Sequence, residues 1–322
     1  MIVVTGGAGF IGSAIVWKLN LKGIDDILIV DNLGRTEKWK NLVNLSYKDY
    51  IHKSVFTEKL LNNKIENIEA IIHMGACSST TENDADYLME NNFHYSKTLA
   101  EYALKNDIRF INASSAATYG DGECGFSDNI NNIENLKPLN MYGYSKQLFD
   151  LWALDTGAVY KLASVKFFNV FGPNEYHKDD MRSVIVKAFY QVREAGCIRL
   201  FKSYRPEYPD GGQRRDFIYI KDCVEVISRM LENHGINGIY NIGTGKARTW
   251  NALAKAVFAA MGVKENIEYI EMPEQLQDRY QYFTQAEMQK LSDEGCNIIY
   301  TSLEDSIDDY IKNYLQQNDI YL

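Results

Sequence analysis

Met1-Ile-Val-Val-Thr-Gly-Gly-Ala-Gly-Phe-Ile-Gly12 opens the chain, a short apolar run that breaks into glycines and then resumes with helical spacing. It reads as strand, phosphate loop, helix. Gly6, Gly9 and Gly12 stand three apart. The first permits a tight turn, the second lets backbone approach a pyrophosphate, and the third allows close packing of helix on strand. The anion would sit on the N-terminus of the helix that begins near Phe10, where free N–H groups and the macrodipole favour negative charge. A second apolar run, Ile27-Leu-Ile-Val-Asp31, ends in a carboxylate about 20 residues beyond the last glycine, where an adenine ribose would be read. A purely structural glycine turn would leave Asp31 unexplained.

The 322 residues, 46% of them hydrophobic, suffice for one full α/β core with a smaller attached domain. A net charge of −9 argues against nucleic acid or an anionic membrane as the main partner, so any phosphate-bearing ligand must be met by local cations. Cys77, Cys124, Cys197, Cys223 and Cys296 are odd in number and scattered, which indicates neither a disulfide framework nor a zinc site; they read as buried reduced thiols. The five histidines form no metal-ligating pair, and no metal is expected. The nucleotide strand at the very start leaves no room for a signal peptide, and no apolar run approaches a membrane span, so a soluble cytoplasmic protein is expected.

Beyond Asp31 the pattern alternates. Asn32-Leu-Gly-Arg-Thr-Glu-Lys38 is a turn-rich basic loop, with helical spacing over 39–45 and 55–61. Strands are predicted at 70–74, 109–113 and 162–168, and helices at 84–104 and 141–155. The first two of these strands run into small polar breaks, Gly75-Ala-Cys-Ser-Ser-Thr-Thr81 and Ser114-Ser-Ala-Ala-Thr-Tyr-Gly120, as loops at the ligand-binding edge of an open sheet do. The alternation specifies an α/β fold built on a Rossmann-like doubly wound parallel sheet. From Phe171 onward a loop, a helix over 181–195 and the Pro- and Gly-bearing stretch 204–213 read as a second lobe. Residues 215–222, the helix 223–232 and Ile239-Tyr-Asn-Ile242 read as a return to the sheet. Residues 1–170 with 216–243 are therefore expected to form the dinucleotide-binding domain. Residues 171–215 with 244–322 are expected to form a smaller α/β substrate-binding domain.

Within Tyr142-Gly-Tyr-Ser-Lys146, Tyr142 and Lys146 are four apart on the predicted helix and share a face. Hydride transfer from an alcohol needs a base that takes the hydroxyl proton as the hydride leaves. A tyrosine has an ordinary pKa of about 10, and a nearby ammonium with a positive nicotinamide ring would lower it toward neutrality. Lys146 would also hold the nicotinamide ribose, and Ser115 would hydrogen-bond the substrate oxygen.

These residues resemble the extended short-chain dehydrogenase/reductases, and the resemblance covers nearly the whole chain. It is carried by Asp31-Asn-Leu33 with Lys38, Gly75-Ala-Cys-Ser-Ser-Thr-Thr-Glu82, Ser114 to Gly120, Tyr142 to Lys146, Phe168-Asn-Val-Phe-Gly-Pro173 with His177-Lys178, Arg215-Asp-Phe217, Gly243-Thr-Gly245, Arg279-Tyr-Gln281 and Phe283-Thr-Gln285. The resemblance implies an ADP-activated heptose as partner, oxidised at its exocyclic C6 and reduced again from the other face, for lipopolysaccharide core. It further implies two bases, Tyr142 for one epimer and Lys178 for the other; a solvated loop lysine is the alternative for Lys178. Phe10, Ile11, Asn32, Lys53, Met74, Gly75, Ala76, Cys77, Ser78, Asn91, Val170 and Lys178 would line the cofactor with the glycines, Asp31, Lys38 and Lys146. Asn169, Arg215 and Tyr280 would contact substrate, Arg215 by a bidentate grip on phosphate. Phe201, Lys202, Ser203 and Tyr204 match a substrate-binding strand. A homo-oligomer is expected.

Asp180 and Lys187 stand where the family has a small hydroxyl and a histidine, which opens the question of their substrate contacts. Asp31 alone would favour NAD, whereas Arg35, Lys38 and Lys53 supply cations that offset it and meet a 2′-phosphate, so NADP is expected with NAD as the alternative. Epimerisation or dehydration of another nucleotide sugar, and a cofactor-sensing protein without turnover, are the rival functions. Dehydration needs an acid beside the catalytic hydroxyl, and Ser115 is followed by Ala116 and Ala117.

Overall fold

The computed structural model describes residues 1–277 and 280–322; Arg279, quoted above, lies outside them. Continuous apolar runs become strands because both faces of a parallel sheet are covered. The strands β1 (Ile2–Thr5), β2 (Ile27–Asp31), β3 (Asp49–His52), β4 (Ala70–His73), β5 (Arg109–Ser115), β6 (Ala163–Phe167) and, later in the chain, Gly238–Ile242 form one seven-stranded sheet. All its pairings are parallel. Chain order along it is reversed about β1, which lies between β2 and β4. That reversal leaves a crevice at the carboxyl ends of β1 and β4, the expected place for a ligand in such a sheet. Alternate residues feed two cores: Val4, Ile29 and Ile72 pack on one face, Val3, Leu28 and Ile71 on the other.

The helices on this sheet are α1 (Phe10–Leu21), α2 (Lys53–Leu61), α3 (Ala85–Leu88), α4 (Tyr95–Lys105) and α5 (Met141–Asp155). The long helix predicted over 84–104 is present but widens into a π turn at Met89–His94 between α3 and α4. The segment expected to be helical over 39–45 is a tighter 3₁₀ helix, Glu37–Leu42. Asn140 caps α5, its side chain accepting the Gly143 N–H at 2.8 Å. Gly143 itself is needed, because a Cβ there would lie 2.7 Å from the Ala117 carbonyl; its absence lets the first turn of α5 close on the turn after β5.

The rest of the chain continues with β7 (Asn169–Phe171), a 3₁₀ helix Tyr176–Met181, α6 (Val184–Ala195), β8 (Ile198–Phe201), β9 (Arg214–Tyr219), α7 (Ile220–Glu232), β10 (Gly238–Ile242), β11 (Ala247–Thr249), α8 (Trp250–Met261) and β12 (Ile267–Ile270). Only part of the expected return to the main sheet occurs. β10 pairs with β6, but β9 pairs with β7 and β11 in a separate three-stranded sheet. The edge of β6 is already taken by β10, so β9 has no place beside it; α7 nonetheless packs back against α1. β8 and β12 form a two-stranded sheet, and α11 (Leu303–Tyr310), which follows the short helices α9 (Glu274–Gln277) and α10 (Gln289–Asp293), packs on α8. No helix among the described residues is long and apolar enough to cross a membrane. Cys197, Cys223 and Cys296 are buried, but Cys77 is half-buried and Cys124 exposed, contrary to the reading of all five as buried; none is in a disulfide.

Candidate active site

The glycine loop is shaped as its spacing requires. Gly6 adopts φ +64°, and a Cβ there would lie 2.7 Å from the backbone of Gly75, so β1 and β4 close on each other at the crevice. A Cβ on Gly12 would come 2.1 Å from the Gly6 carbonyl, which only glycine avoids. Gly9 is the N-cap of α1 and gives no side-chain cap, and no acid stands in the first turn. The orphan N–H groups of α1 therefore face the crevice with a partial positive charge, which suits a pyrophosphate.

A cavity of about 620 Å³ runs from this loop between the lobes. Its lining gathers Gly6, Gly9, Phe10, Ile11, Gly12, Asp31, Lys38, Met74 to Ser78, Ser115, Tyr142, Lys146, Asn169, Val170 and Lys178 from the expected set. An adjoining space of about 140 Å³ adds Asn32, Lys53 and Asn91, with the Lys53 ammonium 2.5 Å from the Asn91 side-chain oxygen. A larger, more open hollow of about 920 Å³ beside Trp39, Val43 and Tyr47 holds none of the proton-transfer candidates. No group of three or more His, Cys, Asp or Glu side chains is gathered as a metal site among the described residues.

Tyr142 and Lys146 project from the first turns of α5, and Ser115 ends β5 opposite them. The Lys146 ammonium donates to the Ala113 carbonyl at 2.8 Å. Burial pushes that ammonium down to about 8, with the Asp150 carboxylate pulling it back up. The expected lowering of the Tyr142 phenol does not occur in the chain alone. Burial raises it above its ordinary value, and the hydrogen bond with Ser115 opposes that rise without cancelling it. A cationic ring brought into the cavity would favour the phenolate.

Lys178 faces the same cavity from the second lobe, its ammonium 5.5 Å from the centre of the Phe10 ring. Lys178 is half-buried; burial lowers its pKa and buried Glu175 opposes the change. Arg215 and Tyr280 lie outside this lining but lie together: the guanidinium is 5.3 Å from the Tyr280 ring and 5.8 Å from Trp250. Trp250 donates to the Tyr280 hydroxyl at 2.9 Å, and Phe201 stands edge-on to Tyr280. A buried cation walled by aromatic rings suits a nucleotide with its phosphate.

The remaining substrate candidates are dispersed. Lys202 is half-buried and pairs with Glu271 at 2.5 Å, Tyr204 also bonds Glu271, and the Ser203 N–H is held by Asp210 at 2.7 Å. Lys187 donates to the Asp180 carbonyl at 2.7 Å, and neither residue lines the cavity. The lining also holds Thr36, Ser79, Thr80, Ala113, Ser114, Phe167, Phe168, His177 and Met181, to which the sequence reading assigned no site role. That reading also missed Asn92, which accepts the Cys77 N–H at 2.8 Å and donates to Ser145 at 3.1 Å, tying the segment after β4 to α5. The adjacency of His177 to Lys178 and of Asn92 to Asn91 was the available signal.

The sequence pattern of the NAD dependent epimerase/dehydratase family matches residues 2–243. Over the full length of both chains the protein is 60% identical to the ADP-L-glycero-D-manno-heptose-6-epimerase of Nitratidesulfovibrio vulgaris. It is 49% identical to the protein of the same name from Fusobacterium nucleatum, again over all of both. The crystal structure of the Helicobacter pylori ADP-L-glycero-D-manno-heptose-6-epimerase is similar at a TM-score of 0.82 with 25% identity, covering 97% of this chain and 95% of that one. With a family pattern matched across the nucleotide sheet and this degree of identity over every residue, the chain belongs to the NAD dependent epimerase/dehydratase family.

Proposed function

We propose that the protein interconverts ADP-D-glycero-D-manno-heptose and ADP-L-glycero-D-manno-heptose at the exocyclic C6, using a bound NADP, and so supplies heptose for lipopolysaccharide core. One observation carries this reading: Tyr142 from α5 and Lys178 from the 3₁₀ helix Tyr176–Met181 face a single cavity based on the glycine loop. The names of the similar proteins supply the sugar. A nicotinamide dinucleotide held along Gly6 to Gly12 supplies a hydride acceptor that gives the same hydride back.

Ser115 holds the C6 oxygen while Tyr142, as phenolate, takes the hydroxyl proton of one epimer. The sugar is then a ketone at C6, and rotation about the C5–C6 bond presents its other face. Lys178 returns a proton to the oxygen from that side, and in the reverse direction the roles exchange. Lys146, buried on the same face of α5, keeps positive charge near the phenol. NADP is favoured over NAD because Lys38 already neutralises Asp31 at 2.6 Å and Lys53 lies in the adjoining space.

Incubating the purified protein with ADP-D-glycero-D-manno-heptose and separating the epimers tests the reading; a mixture of the two is expected. No conversion, with turnover of another nucleotide sugar instead, would overturn it. Dehydration is disfavoured by Ala116 and Ala117 next to Ser115, which offer no acid.

A further inference from the structure

We propose that Asn41 is a positioning residue for Lys178, holding the loop of the second base against the cofactor loop. This role rests on the assignment of Lys178 as that base. Lysine has a long flexible stem, and a proton-transfer group misplaced by about 1 Å can lose about 100-fold in rate. Something must fix the segment Asn174 to Asp180, because two of its non-glycine residues carry positive φ, Asn174 at +77° and Asp179 at +45°. Such conformations persist where neighbouring structure overdetermines them.

Asn41 sits in that position. It is 1% exposed, and its side-chain NH₂ donates to the Ala8 carbonyl at 2.9 Å and to the Asn174 carbonyl at 3.1 Å, with His177 Nδ1 at 3.3 Å beside them. Burial, and then the Lys178 and Lys38 cations, push the His177 imidazole down to about 4, so the ring is neutral and can share one of the two Asn41 N–H groups. A second tie runs from the Asn174 side chain to Ser13 in α1 at 2.9 Å. Lys178 follows His177 directly, with its ammonium over Phe10, two residues beyond Ala8.

The same short helix reaches the other end of the crevice. In a 3₁₀ helix residues i and i+3 eclipse one another, so Lys38 and Asn41 project from one face of Glu37–Leu42. Lys38 meets Asp31, Asp31 accepts the Ala8 N–H at 2.9 Å, and the Ala8 carbonyl accepts from Asn41. A closed ring of contacts thus joins the residues that would read the cofactor ribose to the loop that carries the second base.

The test compares Asn41→Leu, and the milder Asn41→Ser should the first not fold, with Lys178→Met. Each purified enzyme is mixed with each ADP-heptose epimer, and the first appearance of reduced nicotinamide absorbance is followed in a single turnover. Lys178→Met defines the epimer that depends on the lysine. The Asn41 variants should slow that same half-reaction by about 10- to 100-fold and leave the other within about twofold. Amide hydrogen exchange without substrate should accelerate in 172–183 and stay unchanged in α5. Equal slowing of both half-reactions, or unaltered exchange in 172–183, would overturn the role of Asn41. Symmetric behaviour of Lys178→Met itself would instead overturn the two-base reading beneath it.

Discussion

Lys38 lies 2.6 Å from one carboxylate oxygen of Asp31, and the other oxygen accepts the Ala8 N–H at 2.9 Å. The acid that by position would bind a free ribose 2′-hydroxyl is thus already satisfied by a cation and a backbone donor. A charge-assisted contact to a phosphate contributes about 1.5–3 kcal/mol, or about 10- to 100-fold in affinity. Lys38→Ala should shift the ratio of NADP to NAD released on denaturation toward NAD by at least about 10-fold. An unchanged ratio would remove Lys38 from cofactor selection.

Tyr142→Phe deletes only the ionisable oxygen of a half-buried side chain. Turnover should fall by about 100-fold or more, while cofactor stays bound and the melting temperature moves little. Chromatographic separation of the epimers after long incubation checks this; near-normal conversion would assign the proton transfer elsewhere.

Asp150 and Lys166 form a fully buried pair at 2.6 Å, with Ser114 and Ser164 also donating to the carboxylate at 2.7 Å each. Asp150→Asn strands the Lys166 ammonium and should cost about 3–5 kcal/mol in denaturant unfolding. Asp150 also supports the charge of Lys146, four residues earlier on α5. In the wild type, activity that depends on the Lys146 ammonium should fall as pH rises through about 8. In the variant that alkaline limb should move to lower pH, and a limb that stays in place would separate the pair from the catalytic lysine.

His73 is buried beneath the crevice between Thr5 and Ser96, at 2.6 and 2.8 Å, and burial pushes its imidazole down to about 3. The folded state therefore keeps it neutral, whereas the unfolded chain takes up a proton below about pH 6.5. Stability contributed by the neutral ring is complete above that pH and is lost as pH falls toward the folded value. Between pH 6.5 and 4.5 this residue alone should account for about 2–3 kcal/mol. His73→Gln should show a correspondingly shallower loss of unfolding free energy over that interval, and an identical slope would refute the assignment.

Local spacing carried much of the site. Gly6, Gly9, Gly12 and Asp31 were legible because a tight turn, a helix start and a strand end are short-range events governed by steric freedom and periodicity. Tyr142 and Lys146 were legible because a helix places residues four apart on one face. The second lobe was less so. That β9 leaves the main sheet depends on which edge β10 occupies, and nothing within Arg214–Tyr219 encodes it.

The amino-acid sequence by itself determined the strand, glycine loop and helix, the parallel α/β alternation, and the residue types able to move a proton, since each follows from neighbours along the chain. Only the tertiary structure decided that Asn41 meets His177 across 136 positions and that Asp150 and Lys166 share one buried site. It also decided that burial raises the Tyr142 phenol instead of leaving the nearby ammonium to lower it. Burial and long-range hydrogen bonding are properties of the assembled packing, and a pKa responds to the dielectric and donors that surround a group in space.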